Sequence, residues 1–190
     1  VQTCALPISG RGLEAQARLL EDGQGTACAM RLAEAQDEVI RNLFDLARET
    51  VAGGQAVAAA VVATGGYGRA TLAPGSDIDL LFLLPGQQSA EVSAVVEFML
   101  YALWDAGLKV GQATRQVDEC IKLAKGDNTI LTAILEARYL CGDLKLFEEL
   151  QRRFKSEIVQ KLARKYVAEK LAERDQRHAK SGESRYMVEP

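Results

Sequence analysis

Gly65-Gly66-Tyr67-Gly68-Arg69 and, after a short spacer, Ser76-Asp77-Ile78-Asp79-Leu80 are the residues on which the reading of this 190-residue chain turns. The apolar run at 57–63 ends just before the glycine pair and predicts a buried strand, and a second apolar run at 80–84 follows the two aspartates. Side chains alternate faces along a strand, so Asp77 and Asp79 share one face while Ile78 and Leu80 point into the core. Two carboxylates on one face repel unless a cation sits between them, and oxygen-only ligands suit Mg²⁺. Mg²⁺ in turn favours a phosphate substrate, and the glycines leave backbone N–H groups free to approach one. The stretch reads as a metal-dependent nucleotide site.

Outward from it, the pattern predicts a helix over 29–51, with Leu32, Val39, Leu43, Leu46 and Ala47 at helical spacing and Gly53-Gly54 ending it. Pro85-Gly86 makes a turn. Ser89 then caps a helix running to about 106, with Val92, Val95, Val96, Met99, Leu100 and Leu103 on its buried stripe. Gly107 stops that helix and 108–114 reads as a third strand. From Val117 the pattern is helical almost to the end. The expected fold class is α/β (α+β): a small mixed sheet with flanking helices, followed by a helical module.

Composition fits a soluble domain with one sizeable core. The net charge of −3 gives no reason to expect nucleic-acid binding, and no apolar stretch approaches membrane-spanning length. The expected setting is cytoplasmic, without a membrane or nucleic-acid partner. Cys28, Cys120 and Cys141 lack paired spacing and are expected as buried free thiols.

The Gly-Gly, spacer, Asp-x-Asp pattern resembles the nucleotidyltransferase superfamily that includes DNA polymerase β. The run GGYGRATLAPGSDIDLLFL is similar at closer range to the transferase domain of the bacterial PII uridylyltransferase family, the bifunctional uridylyltransferase/uridylyl-removing enzymes of nitrogen signalling. FMLYALWDAGLKVG, DECIKLAKGDNTILTAILEARYLCGD and ERDQRHAKSGESRYMVEP continue the resemblance, which covers about residues 31–190. It implies a DNA polymerase β-like nucleotidyltransferase fold, transfer of UMP from UTP to a tyrosine of the PII nitrogen-regulatory protein with release of pyrophosphate, and Mg²⁺ or Mn²⁺ as cofactor. Residues 1–8 resemble a translated sequencing adapter and are set aside as an artefactual leader. Residues 9–28 are weakly patterned, 29–116 form the expected transferase core, and 117–190 the helical module. The family continues past SRYMVEP into a Gly-Gly-Leu-Arg-Asp segment, so a truncated piece lacking the uridylyl-removing and glutamine-sensing domains is expected.

Each candidate has a plainer reading. Asp77 and Asp79 are read as catalytic metal ligands rather than solvated acids, because they stand at the mouth of an apolar strand. Gly65 and Gly66 are read as a turn and a phosphate cradle at once. Ser76 either caps the chain before Asp77 or, as the resemblance implies, helps hold a phosphate. Arg69 either neutralises triphosphate charge or is a solvated loop arginine. Arg115, Arg138 and Glu136 are candidates for substrate or protein contacts, and a charged helix face explains Arg138 and Glu136 equally well. Two-ion chemistry normally takes a third carboxylate from the neighbouring strand, yet the third strand has none, and Gln112 stands where the family commonly has His. Asp118, Glu119 and Asp127 read as helix-start or surface acids. His178, the single histidine, reads as a solvated helix residue.

The alternatives are another transferase of this fold acting on a small molecule, RNA or protein, or a fragment that binds nucleotide or PII without turnover. A nucleotide-sugar glycosyltransferase has no use for the Gly-Gly at this spacing. An Asp-x-Asp-x-Thr phosphatase fails because Leu81 stands where threonine is needed.

Overall fold

The computed structural model describes residues 25–86 and 89–180, so the leader at 1–8, most of the segment 9–28 and the final ten residues lie outside the described residues. Helix α1 (Gly25–Val51) closes on Gly53 and Gly54, whose φ of 60° and 77° supply the left-handed turn. The amides of Ala52 and Gly54 both donate to the Arg48 carbonyl. Its buried stripe runs through Leu32, Ala33, Gln36, Asp37, Ile40, Phe44 and Ala47. The expected stripe was set differently: Val39 and Leu46 are exposed, and the inward face carries two polar residues that an apolar pattern cannot select.

Strand β1 (Ala60–Ala63) occupies the last four residues of the predicted strand run, and β2 (Ile78–Leu84) follows a one-turn helix, α2 (Gly65–Gly68). Ser89 accepts a hydrogen bond from the Val92 amide (3.3 Å) and caps α3 (Ala90–Asp105). Gly107, at φ 77°, turns the chain into β3 (Val110–Gln116). Then come α4 (Val117–Ala124), α5 (Asn128–Leu135), β4 (Arg138–Gly142), α6 (Leu144–Phe154), a π-helical turn (Lys155–Val159) and α7 (Gln160–Lys180).

The sheet order is β3-β2-β1-β4, with β1 antiparallel to β2 and β4 and β2 parallel to β3. Both faces are covered, which is why β2 reads as an unbroken apolar run. Ile78, Leu80, Phe82 and Leu84 pack under α1 and α3 with Ile40, Phe44, Met99 and Leu103. Leu81 and Leu83 face the opposite layer of Ile121, Phe147, Leu150 and Phe154 from the later helices.

One correction concerns β4. The stretch from 117 reads as helical, but residues 138–142 form an edge strand paired to β1, with Ala63 opposite Arg138 and Ala60 opposite Gly142. A five-residue strand between helices, charged at its first position, gives no apolar alternation to detect. Cys28 and Cys120 are buried and Cys141 is half-buried, all three as free thiols. Among the described residues, no helix is long and apolar enough to cross a membrane.

Candidate active site

The glycine turn and the head of β2 are joined through the backbone. Thr64 is extended and its amide donates to the Asp79 carbonyl (3.0 Å), after which Gly65 turns the chain at φ 56°. The turn closes through the Gly68 amide on the Thr64 carbonyl (2.9 Å). A β-carbon on Gly65 would stand 2.8 Å from Asp79 Oδ2. Gly111 lies opposite Asp79 in the parallel register with β3, and a β-carbon there would run into Asp79 Oδ1. The Asp79 carboxylate is therefore wedged between two backbones that approach it only because both residues are glycine.

Asp79 is half-buried. Burial first, and the charge of Asp77 second, push its carboxyl above the ordinary carboxylate range. Asp77 is exposed, one residue ahead of β2, and Ser76 is exposed at the end of a turn closed by its own amide on the Ala73 carbonyl (3.1 Å). A desolvated carboxylate with a like charge beside it is the arrangement that a hard divalent cation relieves, so Asp77 and Asp79 could hold Mg²⁺ or Mn²⁺. Among the described residues, no group of three or more His, Cys, Asp or Glu is placed to hold an ion.

Asp79 and Gly65 open onto a cleft of about 630 Å³, bounded by β2 and β3 on one side and by α5 on the other. Lys170 and Glu173 of α7 also line it, and α7 is tied to α5 by Thr132 Oγ1 with the Tyr166 hydroxyl and by Asn128 with Glu169, both 2.8 Å. Arg115 lies on the Asp79 side of the sheet, in register with Leu83, and lines the same cleft. Gln112 also lines it but stands in register with Leu80, so the β3 residue beside the acid is Gly111. That contact depends on cross-strand register and carries no signal in the sequence.

The other acids are engaged elsewhere. Asp127 caps α5, accepting from the amides of Thr129 (2.7 Å) and Ile130 (3.2 Å), which lower its carboxyl below the ordinary range. Asp118 pairs with Arg153, and Glu119 is exposed on the first turn of α4. Of His178 only the helical backbone is described. Arg69 has a partner the sequence does not announce: its Nη1 donates to Glu136 Oε2 at 2.7 Å, a pair that staples the glycine turn to the end of α5. Arg69 is 56% exposed in this pair. Arg69→Ala is expected to lower stability by no more than about 1 kcal/mol, which thermal melts check; a larger loss would show that the glycine turn depends on this pair.

Residues 48–166 match the nucleotidyltransferase domain family. The chain is 58% identical over 181 residues to the bifunctional uridylyltransferase/uridylyl-removing enzyme of Bradyrhizobium sp. (strain ORS 278), covering 93% of this chain and 19% of that protein. It is 55% identical over 181 residues to the protein of the same name from Rhodopseudomonas palustris (strain ATCC BAA-98 / CGA009), covering 93% of this chain and 20% of that one. The chain thus spans about a fifth of the length of the curated relatives it matches.

Proposed function

The chain belongs to the nucleotidyltransferase domain family, and from that premise we propose that it moves UMP from UTP to a tyrosine hydroxyl of the PII nitrogen-regulatory protein, releasing pyrophosphate. Uridylyl transfer enters through the name of its relatives, and UTP as donor and PII as acceptor through the resemblance of its motifs. The observation that carries the reading is the Asp79 carboxylate wedged between Gly65 and Gly111 at the mouth of the cleft.

In this reading Asp77 and Asp79 hold the divalent ions. When bound, these supply positive charge that activates the attacking tyrosine oxygen and offsets charge on the departing pyrophosphate. The backbone amides at Gly65 and Gly66 approach the triphosphate, and Ser76 adds a hydroxyl contact. Arg115 supplies side-chain charge on the cleft floor, and Arg69, 56% exposed at the glycine turn, can turn its remaining guanidinium nitrogens toward the triphosphate. The tyrosine oxygen forms a bond to the α-phosphorus, and the bond from that phosphorus to the pyrophosphate oxygen breaks in line. A second reading, nucleotide binding without turnover, draws on the missing third acid among the described residues.

The two readings separate when the chain is incubated with PII, Mg²⁺ and UTP labelled at either the α- or the γ-phosphate. Nucleotidyl transfer puts only the α-label on PII. Saturable UTP binding with no label on PII supports the second reading, and γ-label on PII would contradict both. Removal of UMP is not expected of this chain, because a hydrolytic site built on several histidine ligands cannot be assembled from one histidine. Release of UMP from uridylylated PII above a metal-free control would reverse that expectation.

A further inference from the structure

Beneath the glycine turn lies a charged network in which the cleft takes no part. Asp37, on the inward face of α1, is 6% exposed. It accepts hydrogen bonds from the Tyr67 hydroxyl (2.7 Å), both terminal nitrogens of Arg138 and, at 3.4 Å, Arg41. Arg138 heads β4 and reaches in the other direction as well. Its Nη2 donates to the Tyr67 carbonyl (3.2 Å) and its Nε to the Gly68 carbonyl (3.3 Å), and the guanidinium lies 5.4 Å from the centre of the Tyr67 ring. Three segments far apart in sequence meet on one guanidinium.

The contacts have an unequal distribution of costs. A buried ion pair contributes little net stability, since desolvating both partners consumes most of their attraction. The carbonyls at the end of a helical turn need donors: the Tyr67 carbonyl accepts from the Ala70 amide (3.1 Å) as well as from Arg138, while the Gly68 carbonyl accepts from Arg138 Nε, which Asp37 holds in place. The other end of the same turn is Gly65, against the Asp79 carboxylate. Tyr67 between them is fully buried, so the turn pivots on a fixed ring.

We propose that Arg138 is a positioning residue: anchored by Asp37, it holds the carbonyl end of the glycine turn and thereby fixes how closely Gly65 approaches the Asp79 carboxylate. The proposal rests on the reading of Asp79 as a metal ligand. Arg138→Lys keeps a charge for Asp37 but cannot bond that carboxylate and two carbonyls together. It is expected to raise the Mn²⁺ dissociation constant of the chain, read by electron paramagnetic resonance, about tenfold, the scale seen when a group that orients a metal ligand is lost. Arg153→Lys is the comparison, since Arg153 pairs with Asp118, Glu149 and Glu157, none of which lines the cleft. It is expected to lower the melting temperature without changing Mn²⁺ affinity. If Arg138→Lys does not fold, Tyr67→Phe removes only the hydroxyl donated to Asp37 and is expected to shift Mn²⁺ affinity in the same direction. Mn²⁺ binding that depends on Asp79 but ignores Arg138→Lys, or Tyr67→Phe in its place, overturns this proposal alone. A chain that binds no Mn²⁺, or binds it equally well as Asp79→Asn, overturns the metal reading and this proposal with it.

Discussion

Asp79→Asn is expected to cut UMP transfer by about a thousandfold or more while making the fold more stable at neutral pH. The first half follows from the proposed role: without the Asp79 charge, metal-borne positive charge would no longer be held where the transition state needs it. The second follows from the direction of its titration. Burial, and then Asp77, raise the Asp79 carboxyl above its ordinary value, so the folded chain binds that proton more tightly than the unfolded one. Ionised Asp79 therefore costs stability at high pH, and the cost fades as pH falls through the raised folded value. Below the ordinary value of 3.8 the cost is gone. Melts across pH should show the substituted chain melting higher near neutrality and the two curves converging in acid. A variant with normal transfer, or one less stable than its parent at pH 7, would remove Asp79 from the role assigned to it.

Gly111→Ala tests the wedge from the other side. The new methyl group would occupy the space of Asp79 Oδ1, and the nearest obstruction is the mobile end of a side chain rather than backbone. The carboxylate can swing away, so the loss of stability is expected to stay near 1 kcal/mol, the ordinary cost of a point substitution. The displaced carboxylate, in the role proposed for it, is a different matter. A shift of about 1 Å at a reacting centre can cost about a hundredfold in rate, and transfer and Mn²⁺ affinity should fall together. A well-folded variant with unaltered transfer would show that Asp79 does not need its observed position.

Much of this was legible in the chain because two simple periods carry it. The Asp-x-Asp at the head of an apolar run, the glycine pair before it and the Ser89-capped helix each announce themselves within a few residues. What stayed hidden depends on pairings between distant residues. The inward face of α1 includes Gln36 and Asp37, so hydrophobic spacing favoured Val39 and Leu46, which are exposed. Asp37 is buried because Arg138 and Tyr67 meet it, and Arg138 could be placed only once β4 was known to be a strand. Gly111 carries no signal beside Gln112 in the sequence because its significance lies in sitting opposite Asp79 across the sheet. Arg69 was recognisable as a cation near the turn, but its partner Glu136 lies 67 residues further on.

The reading of the cleft as a metal-dependent nucleotide site is tested most directly by crystallising the chain with UTP and Mn²⁺ and locating manganese from its anomalous scattering. The account predicts manganese at the Asp77 and Asp79 carboxylates, with the triphosphate running along the Gly65-Gly66 backbone into the cleft. An ordered nucleotide whose manganese lies away from both carboxylates would contradict it.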